Sequence, residues 1–122
     1  MEKRRILLVE DEPLIRMILA EALEDEGLTV VQAENGDVAA DLIDGPNGYD
    51  ALLTDIHMPG ERDGVAVAAH YRERHPAAPI IFMSGRPDAL RRAAPLGPRE
   101  ALLHKPYAPS DLMRALRRLF DR

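Results

Sequence analysis

Residues 51–60 read "ALLTDIHMPG". Its first four residues, through Thr54, are typical of a short strand that is buried on both faces. Asp55 follows directly, and Pro59 and Gly60 then turn the chain away. The stretch therefore predicts a carboxylate at the edge of a sheet, and the rest of the sequence indicates what that carboxylate meets there.

Five strand-like segments of this kind alternate with helical patterns along the chain. They span residues 5–9, 28–33, 50–54, 79–83 and 101–104. Apolar side chains repeat at helical spacing between them, and three prolines among residues 87–98 allow only a short fourth helix. Consecutive βα units with right-handed crossovers predict an α/β fold. We expect a three-layer sandwich in which helices cover both faces of a five-stranded parallel sheet.

Composition and charge limit the classes of function. The 122 residues suit one domain spanning residues 1–122. The chain has no cysteine, which excludes disulfides and thiolate metal sites and fits a reducing compartment, so we expect a cytoplasmic location. No apolar run approaches the ~20 residues of a membrane span, so we expect no membrane insertion. The net charge of −5 argues against direct nucleic-acid binding by the whole domain.

Polar residues follow four of the five predicted strands. Glu10 and Asp11 follow the first strand, and Asp55 follows the third. Ser84 follows the fourth strand, and Lys105 lies just after the fifth. Each of these residues alone is ordinary at the start of a helix or in a turn. Because ligands of parallel α/β sheets bind at the carboxyl ends of the strands, their joint occurrence predicts one site at that edge.

The acidic members of this set indicate a magnesium site. Like charges ~4 Å apart repel by roughly 1–4 kcal/mol per pair, and a divalent cation reverses the sign of that energy. Mg²⁺ prefers oxygen ligands, whereas zinc prefers histidine or cysteine, and the four histidines show no ligand spacing. With Mg²⁺ bound, Lys105 supplies a positive charge and Ser84 a hydroxyl donor for phosphoryl oxygens. An aspartate such as Asp55 can act as the nucleophile of phosphoryl transfer.

Four short motifs resemble the receiver domain of two-component response regulators, in particular the chemotaxis regulators. They are "LLVEDEP" (7–13), "LLTDIHMPG" (52–60), "FMSG" (82–85) and "HKPY" (104–107). The resemblance covers nearly the whole chain and implies a flavodoxin-like fold with strand order 2-1-3-4-5. It also implies a cis peptide bond between Lys105 and Pro106.

The resemblance implies a role for each matching residue. Asp55 resembles the phosphoacceptor, and Ser84 and Lys105 resemble the residues that contact the phosphoryl group. The implied Mg²⁺ ligands are Asp11, Asp55 and the backbone carbonyl of His57, with Glu10 acting through water.

A receiver of this kind is a signalling switch with self-catalysed phosphotransfer and dephosphorylation. Its implied partners are a histidine kinase or histidine phosphotransfer protein, a downstream protein target and a phosphorylation-dependent second copy of the chain. Leu102 is a departure, because the family usually carries an aromatic residue at this position of the fifth strand.

Other interpretations stay open from the residues alone. The chain can be a degenerate receiver that serves only as a docking module. A magnesium-dependent phosphatase of the haloacid-dehalogenase type also uses an aspartate nucleophile, but it places a second carboxylate where this chain has His57. A flavodoxin-like FMN-binding protein shares the fold, but Glu10, Asp11 and Glu12 would repel a phosphate. Whether the chain is a stand-alone receiver or a fragment of a longer protein also stays open.

Overall fold

Helices and strands alternate in a computed structural model that describes residues 3–93 and 95–121. The strands are β1 (Arg5–Val9), β2 (Thr29–Ala33), β3 (Ala51–Asp55), β4 (Ile80–Ser84) and β5 (Glu100–His104). The helices are α1 (Pro13–Asp25), α2 (Gly36–Asp44), α3 (Gly64–Arg74), α4 (Ala89–Ala93) and α5 (Pro109–Phe120). Among the described residues, no helix combines the length and the apolar character that crossing a bilayer requires.

The five strands form one parallel sheet in the order β2-β1-β3-β4-β5. This confirms the predicted strand order and fold class. Every residue of the central strands β3 and β4 is buried, as expected for strands covered on both faces. The strand order reverses between β1 and β3, so the carboxyl ends of these two strands lie side by side.

Two apolar layers hold the helices on the sheet. One layer packs α2, α3 and α4 against side chains such as Leu52 and Phe82. The other packs α1 and α5 against the alternate side chains, such as Leu53 and Ile81. Since successive side chains of a strand point to opposite faces, Asp55 shares the α1–α5 face with Leu53.

The predicted strand boundaries agree with the structure to within one residue at each end. The fourth helix is short, as the prolines predicted, and spans Ala89–Ala93. α5 begins at Pro109, before the apolar stripe that starts at Leu112. The reason is local, because the side chain of Asp111 accepts a hydrogen bond of 2.9 Å from the backbone N–H of Ala108 and holds the first turn.

The start of α3 lies directly against the end of β3. The backbone N–H of Gly64 donates a 2.8 Å hydrogen bond to the carbonyl of Ile56. A Cβ at position 64 would lie 1.9 Å from the carbonyl oxygen of Asp55 and 2.8 Å from the Cα of Ile56. These atoms belong to the backbone, so they cannot move aside as the end of a side chain can.

We therefore expect Gly64→Ala to lower the free energy of unfolding by roughly 1–3 kcal/mol, the usual cost of overpacking. Gly48→Ala is the matched control, because the nearest atom to its added Cβ is 3.9 Å away. Urea unfolding of the two variants and the parent measures the effect. Equal stability of the two variants would contradict the close contact at Gly64.

Candidate functional site

Three carboxylates meet at the carboxyl edge of the sheet. Glu10, Asp11 and Asp55 each offer an oxygen atom, and these atoms all lie within 4.8 Å of one another. Glu10 is fully buried and Asp55 is only 7% exposed, whereas Asp11 is partly exposed. Adjacency of β1 and β3 produces this arrangement, because the acids follow or end these two neighbouring strands. Because Asp11 is partly exposed, the cluster is open to solvent on the side of this residue.

Lys105 bridges two of the carboxylates. Its Nζ donates to Glu10 Oε1 at 3.0 Å and to Asp55 Oδ2 at 3.3 Å. The backbone N–H of Lys105 donates to the carbonyl of Ser84 at 2.8 Å, which ties the loop after β5 to the end of β4. The peptide bond between Lys105 and Pro106 is cis, as the resemblance implied. One ammonium group thus partly compensates two buried negative charges.

The electrostatics of the cluster disfavour charge on Asp55. Burial, and then the neighbouring charge of Glu10, raise the pKa of Asp55 to about 7, although Lys105 lowers it. Burial lowers the pKa of Lys105, but its hydrogen bonds and charge contacts with Glu10 and Asp55 raise it above the usual value overall. The protein alone therefore leaves this cluster short of positive charge at neutral pH.

Ser84 ends β4 beside the acidic cluster. It is 1% exposed, and its Oγ accepts a 3.1 Å hydrogen bond from the backbone N–H of Arg86. The preceding residue, Met83, pairs with Asp55 across the sheet. Ser84 and Asp55 therefore end neighbouring strands at the same edge, as the sequence predicted.

His57 lies on the loop after β3. Its side-chain Nε2 lies 3.6 Å from Asp88 Oδ1, just before α4. The predicted metal ligand at this position is the backbone carbonyl, and this assignment stays a prediction.

The sequence did not reveal two further residues around the cluster. Arg16 of α1 donates from Nη1 to the backbone carbonyl of Glu10 at 2.7 Å. The hydroxyl of Tyr107 donates to Met83 Sδ at 2.8 Å. Burial, and then the charges of Glu10 and Asp55, raise the pKa of Tyr107. The only sequence signal for Tyr107 is its place after Lys105 and Pro106, and no spacing pattern points to Arg16.

The donor atoms of the cluster fit a hard divalent cation. All three side chains offer carboxylate oxygens, which suit Mg²⁺ and are poor ligands for soft metals. Both oxygens of Glu10 already accept hydrogen bonds, from Lys105 Nζ and from the backbone N–H of Glu12 at 3.2 Å. Asp11 and Asp55 are therefore better placed than Glu10 to contact a cation directly.

The chain matches the family described as "response regulator receiver domain" over residues 6–117. It belongs to this family. The receiver is a signalling domain of two-component systems, and the converging strand ends described above are the part of the fold where its chemistry is expected.

Individual relatives support this placement. The chain is 38% identical over 119 residues to the transcriptional regulatory protein TcrA of Mycobacterium tuberculosis, covering 97% of this chain and 46% of that protein. The chain thus spans about half the length of this relative.

Solved structures agree with the fold. A response regulator receiver protein from Sinorhizobium medicae superimposes with a TM-score of 0.90 at 26% identity, covering 98% of this chain and 96% of the other. The response regulator TrrA from Thermotoga maritima, solved with Mg²⁺ and BeF, superimposes with a TM-score of 0.77 at 31% identity, covering 95% of this chain and 98% of the other.

The raised pKa of Asp55 predicts a pH-dependent effect of Asp55→Asn on stability. The folded-state pKa of about 7 lies above the unfolded value of ~3.9, so the ionised carboxylate costs stability as pH rises between these values. In EDTA, Asp55→Asn should raise the free energy of unfolding, and the gain should be larger at pH 8 than at pH 5 by roughly 1–3 kcal/mol. Urea unfolding at the two pH values measures the difference.

Asp41→Asn is the control, because it removes an exposed carboxylate of α2 outside the cluster. An equal gain for Asp55→Asn at pH 5 and pH 8 would contradict the raised pKa.

Proposed function

We propose that this chain is a phosphoacceptor receiver that takes a phosphoryl group onto Asp55 and thereby switches a protein-interaction surface. The observation that supports the proposal most directly is the convergence of Asp55 with Glu10, Asp11 and Lys105 at one edge of the sheet. The phosphodonor is a histidine kinase or a histidine phosphotransfer protein, in the cytoplasm. Asp55 is the nucleophile, Lys105 and Ser84 contact the phosphoryl oxygens, and Asp11 is the main side-chain partner of Asp55 in holding Mg²⁺.

The chemistry is an in-line displacement at phosphorus. A carboxylate oxygen of Asp55 forms the new O–P bond as the N–P bond of the donor's phosphohistidine breaks, and the electron pair of that bond leaves with the imidazole. Lys105 is already within hydrogen-bond distance of Asp55 Oδ2, so its ammonium group can follow the charge to the phosphoryl oxygens.

The cation is expected to be Mg²⁺, held by Asp11, Asp55 and the His57 carbonyl, with Glu10 acting through water. When bound, it supplies positive charge for the carboxylates and for the phosphoryl oxygens. Glu10 suits the indirect role because its two oxygens are engaged by Lys105 and by the backbone of Glu12. The relative TrrA, solved with Mg²⁺ and BeF, supports the same choice of cation.

Phosphorylation would change the conformation that the loops next to Asp55 prefer. A phosphoryl group adds about −1.5 to −2 charges and three acceptor oxygens. Ser84 Oγ can rotate to donate to one of them, which would break its contact with the N–H of Arg86 and move the start of the β4–α4 loop. Leu102 is aliphatic and partly buried, so we propose a readout that needs no aromatic rotamer at this position of β5.

An apolar surface beside the cluster fits a protein phosphodonor. Leu14, Met17 and Ile18 of α1 are 62%, 49% and 48% exposed. Ile18 also lines a groove that reaches Lys105 and Tyr107. Exposed apolar patches of this kind mark protein contacts, and the groove connects this one to Lys105.

A small phosphodonor tests the proposal without a partner protein. Incubation of the parent with acetyl phosphate and Mg²⁺ should add one phosphoryl group, measured by intact mass. The adduct should be absent in EDTA and in Asp55→Asn, because the first removes the cation and the second the nucleophile. Asp41→Asn should behave as the parent does.

An adduct that persists in Asp55→Asn would place the acceptor elsewhere. No adduct in the parent would favour the degenerate, docking-only receiver. Catalytic hydrolysis of a phosphate monoester such as p-nitrophenyl phosphate, which is not an activated phosphodonor, would favour the phosphatase.

A further inference from the structure

The segment that carries Glu10 and Asp11 is held at both ends by hydrogen bonds. On one side, the backbone N–H of Glu10 donates to the carbonyl of Ala33 in β2 at 3.1 Å. On the other side, the backbone N–H of Arg16 donates to the carbonyl of Glu12 at 2.9 Å, in the first turn of α1. Asp11 lies between these anchors and is the acid of the cluster that is open to solvent.

One side chain of α1 reaches back to this segment. Arg16 Nη1 donates to the backbone carbonyl of Glu10 at 2.7 Å, directly before Asp11. The N-cap residue of α1, Glu12, makes no side-chain capping hydrogen bond, and Pro13 has no N–H to donate. The contact from Arg16 therefore connects the segment to the rigid body of the helix.

We propose that Arg16 is a positioning residue for the cation site, which it orders through the carbonyl of Glu10. This inference rests on the proposed function, since it concerns the same Mg²⁺ ligands.

The reason is the strict geometry of Mg²⁺. Mg²⁺ demands a near-ideal octahedron at about 2.0–2.1 Å, so a ligand that moves freely binds it less tightly. The carbonyl occupied by Arg16 belongs to the residue that precedes Asp11, so the contact fixes the peptide from which the Asp11 carboxylate extends. It also satisfies the carbonyl oxygen of Glu10.

The direction in which Mg²⁺ affinity changes when Arg16 is removed distinguishes a positioning role from the effect of its charge. Arg16 carries a positive charge close to a cation site, so through its field alone it would weaken Mg²⁺ binding, and its removal would strengthen binding. A positioning role predicts the opposite, because removal frees the segment that carries the ligand.

Calorimetric titration of the full chain with MgCl₂ tests the inference, with no phosphodonor present. Arg16→Met keeps the apolar stem but removes the donor, and we expect the Kd for Mg²⁺ to rise about tenfold, as when partners of metal ligands are removed. The stoichiometry should stay at one ion per chain. Arg74→Met is the matched control and should leave the Kd unchanged. It removes a half-exposed arginine at the end of α3, which pairs with Asp44 at the end of α2.

Arg16→Lys gives a second comparison and covers the case in which the Met variant does not fold. It keeps the positive charge but loses the planar, forked set of donors of the guanidinium group. The electrostatic effect on the cation is therefore unchanged, and a weaker Mg²⁺ affinity would report the lost positioning contact alone. We expect its Kd to rise as well, but by less than that of the Met variant. Unfolding in EDTA checks that each variant is folded.

Two results would overturn this inference and leave the proposed function standing. The first is a parent-like Kd in both variants, even if they are less stable in EDTA, which would make Arg16 merely structural. The second is tighter Mg²⁺ binding in Arg16→Met, which would show a field effect. A parent that binds no Mg²⁺ would instead overturn both this inference and the cation site of the proposed function.

Discussion

The mutual repulsion of three carboxylates at one edge of the sheet is the constraint on which the site depends. Glu10 and Asp55 are almost completely removed from solvent, and Lys105 Nζ is within 3.0 and 3.3 Å of them. Burial, and then the charge of Glu10, raise the pKa of Asp55, and the ammonium group of Lys105 offsets this only in part. The cluster is therefore unfavourable for the isolated protein, and a dication bound there would relieve the repulsion. A site that is short of positive charge in this way is suited to a ligand that supplies it.

The fold makes this arrangement possible because the residues that pack the core and the residues of the site occupy different parts of the strands. Apolar side chains of β3 and β4 fill two layers between the sheet and the helices, and polar side chains occupy only the carboxyl ends. Gly64 lets α3 begin directly against the carbonyl of Asp55, which fixes the backbone at this residue. Rigid elements thus hold Asp55, while Ser84 ends the neighbouring strand β4 and Lys105 lies on the loop after β5.

Much of this could be predicted from the sequence, because the signals are local. Apolar runs of strand length, helical stripes between them and the prolines after Ser84 predicted the order of elements and the short α4. The rule that parallel strands present ligands at their carboxyl ends then brought Asp55, Glu10 and Lys105 to one place, although 95 residues separate Glu10 from Lys105.

Contacts that depend on side-chain reach across the fold were not predictable in the same way. The hydrogen bond from Arg16 to the carbonyl of Glu10 requires the angle at which α1 leaves the sheet, and no residue pattern encodes that angle. The bond between Tyr107 and Met83 depends on the path of the chain after the cis bond to Pro106. The first turn of α5 lies ahead of its apolar stripe, and the hydrogen bond from the backbone N–H of Ala108 to the side chain of Asp111 holds that turn.

A crystal structure of the parent grown with Mg²⁺ and beryllium fluoride would show which carboxylate is the acceptor and which acids hold the cation, since beryllium fluoride forms a phosphoryl-like adduct with a reactive carboxylate. We expect the beryllium fluoride group on Asp55, with Mg²⁺ in contact with Asp11 and Asp55, and with Lys105 turned to a fluorine atom. A cation bound away from these acids, or beryllium fluoride on another carboxylate, would contradict it.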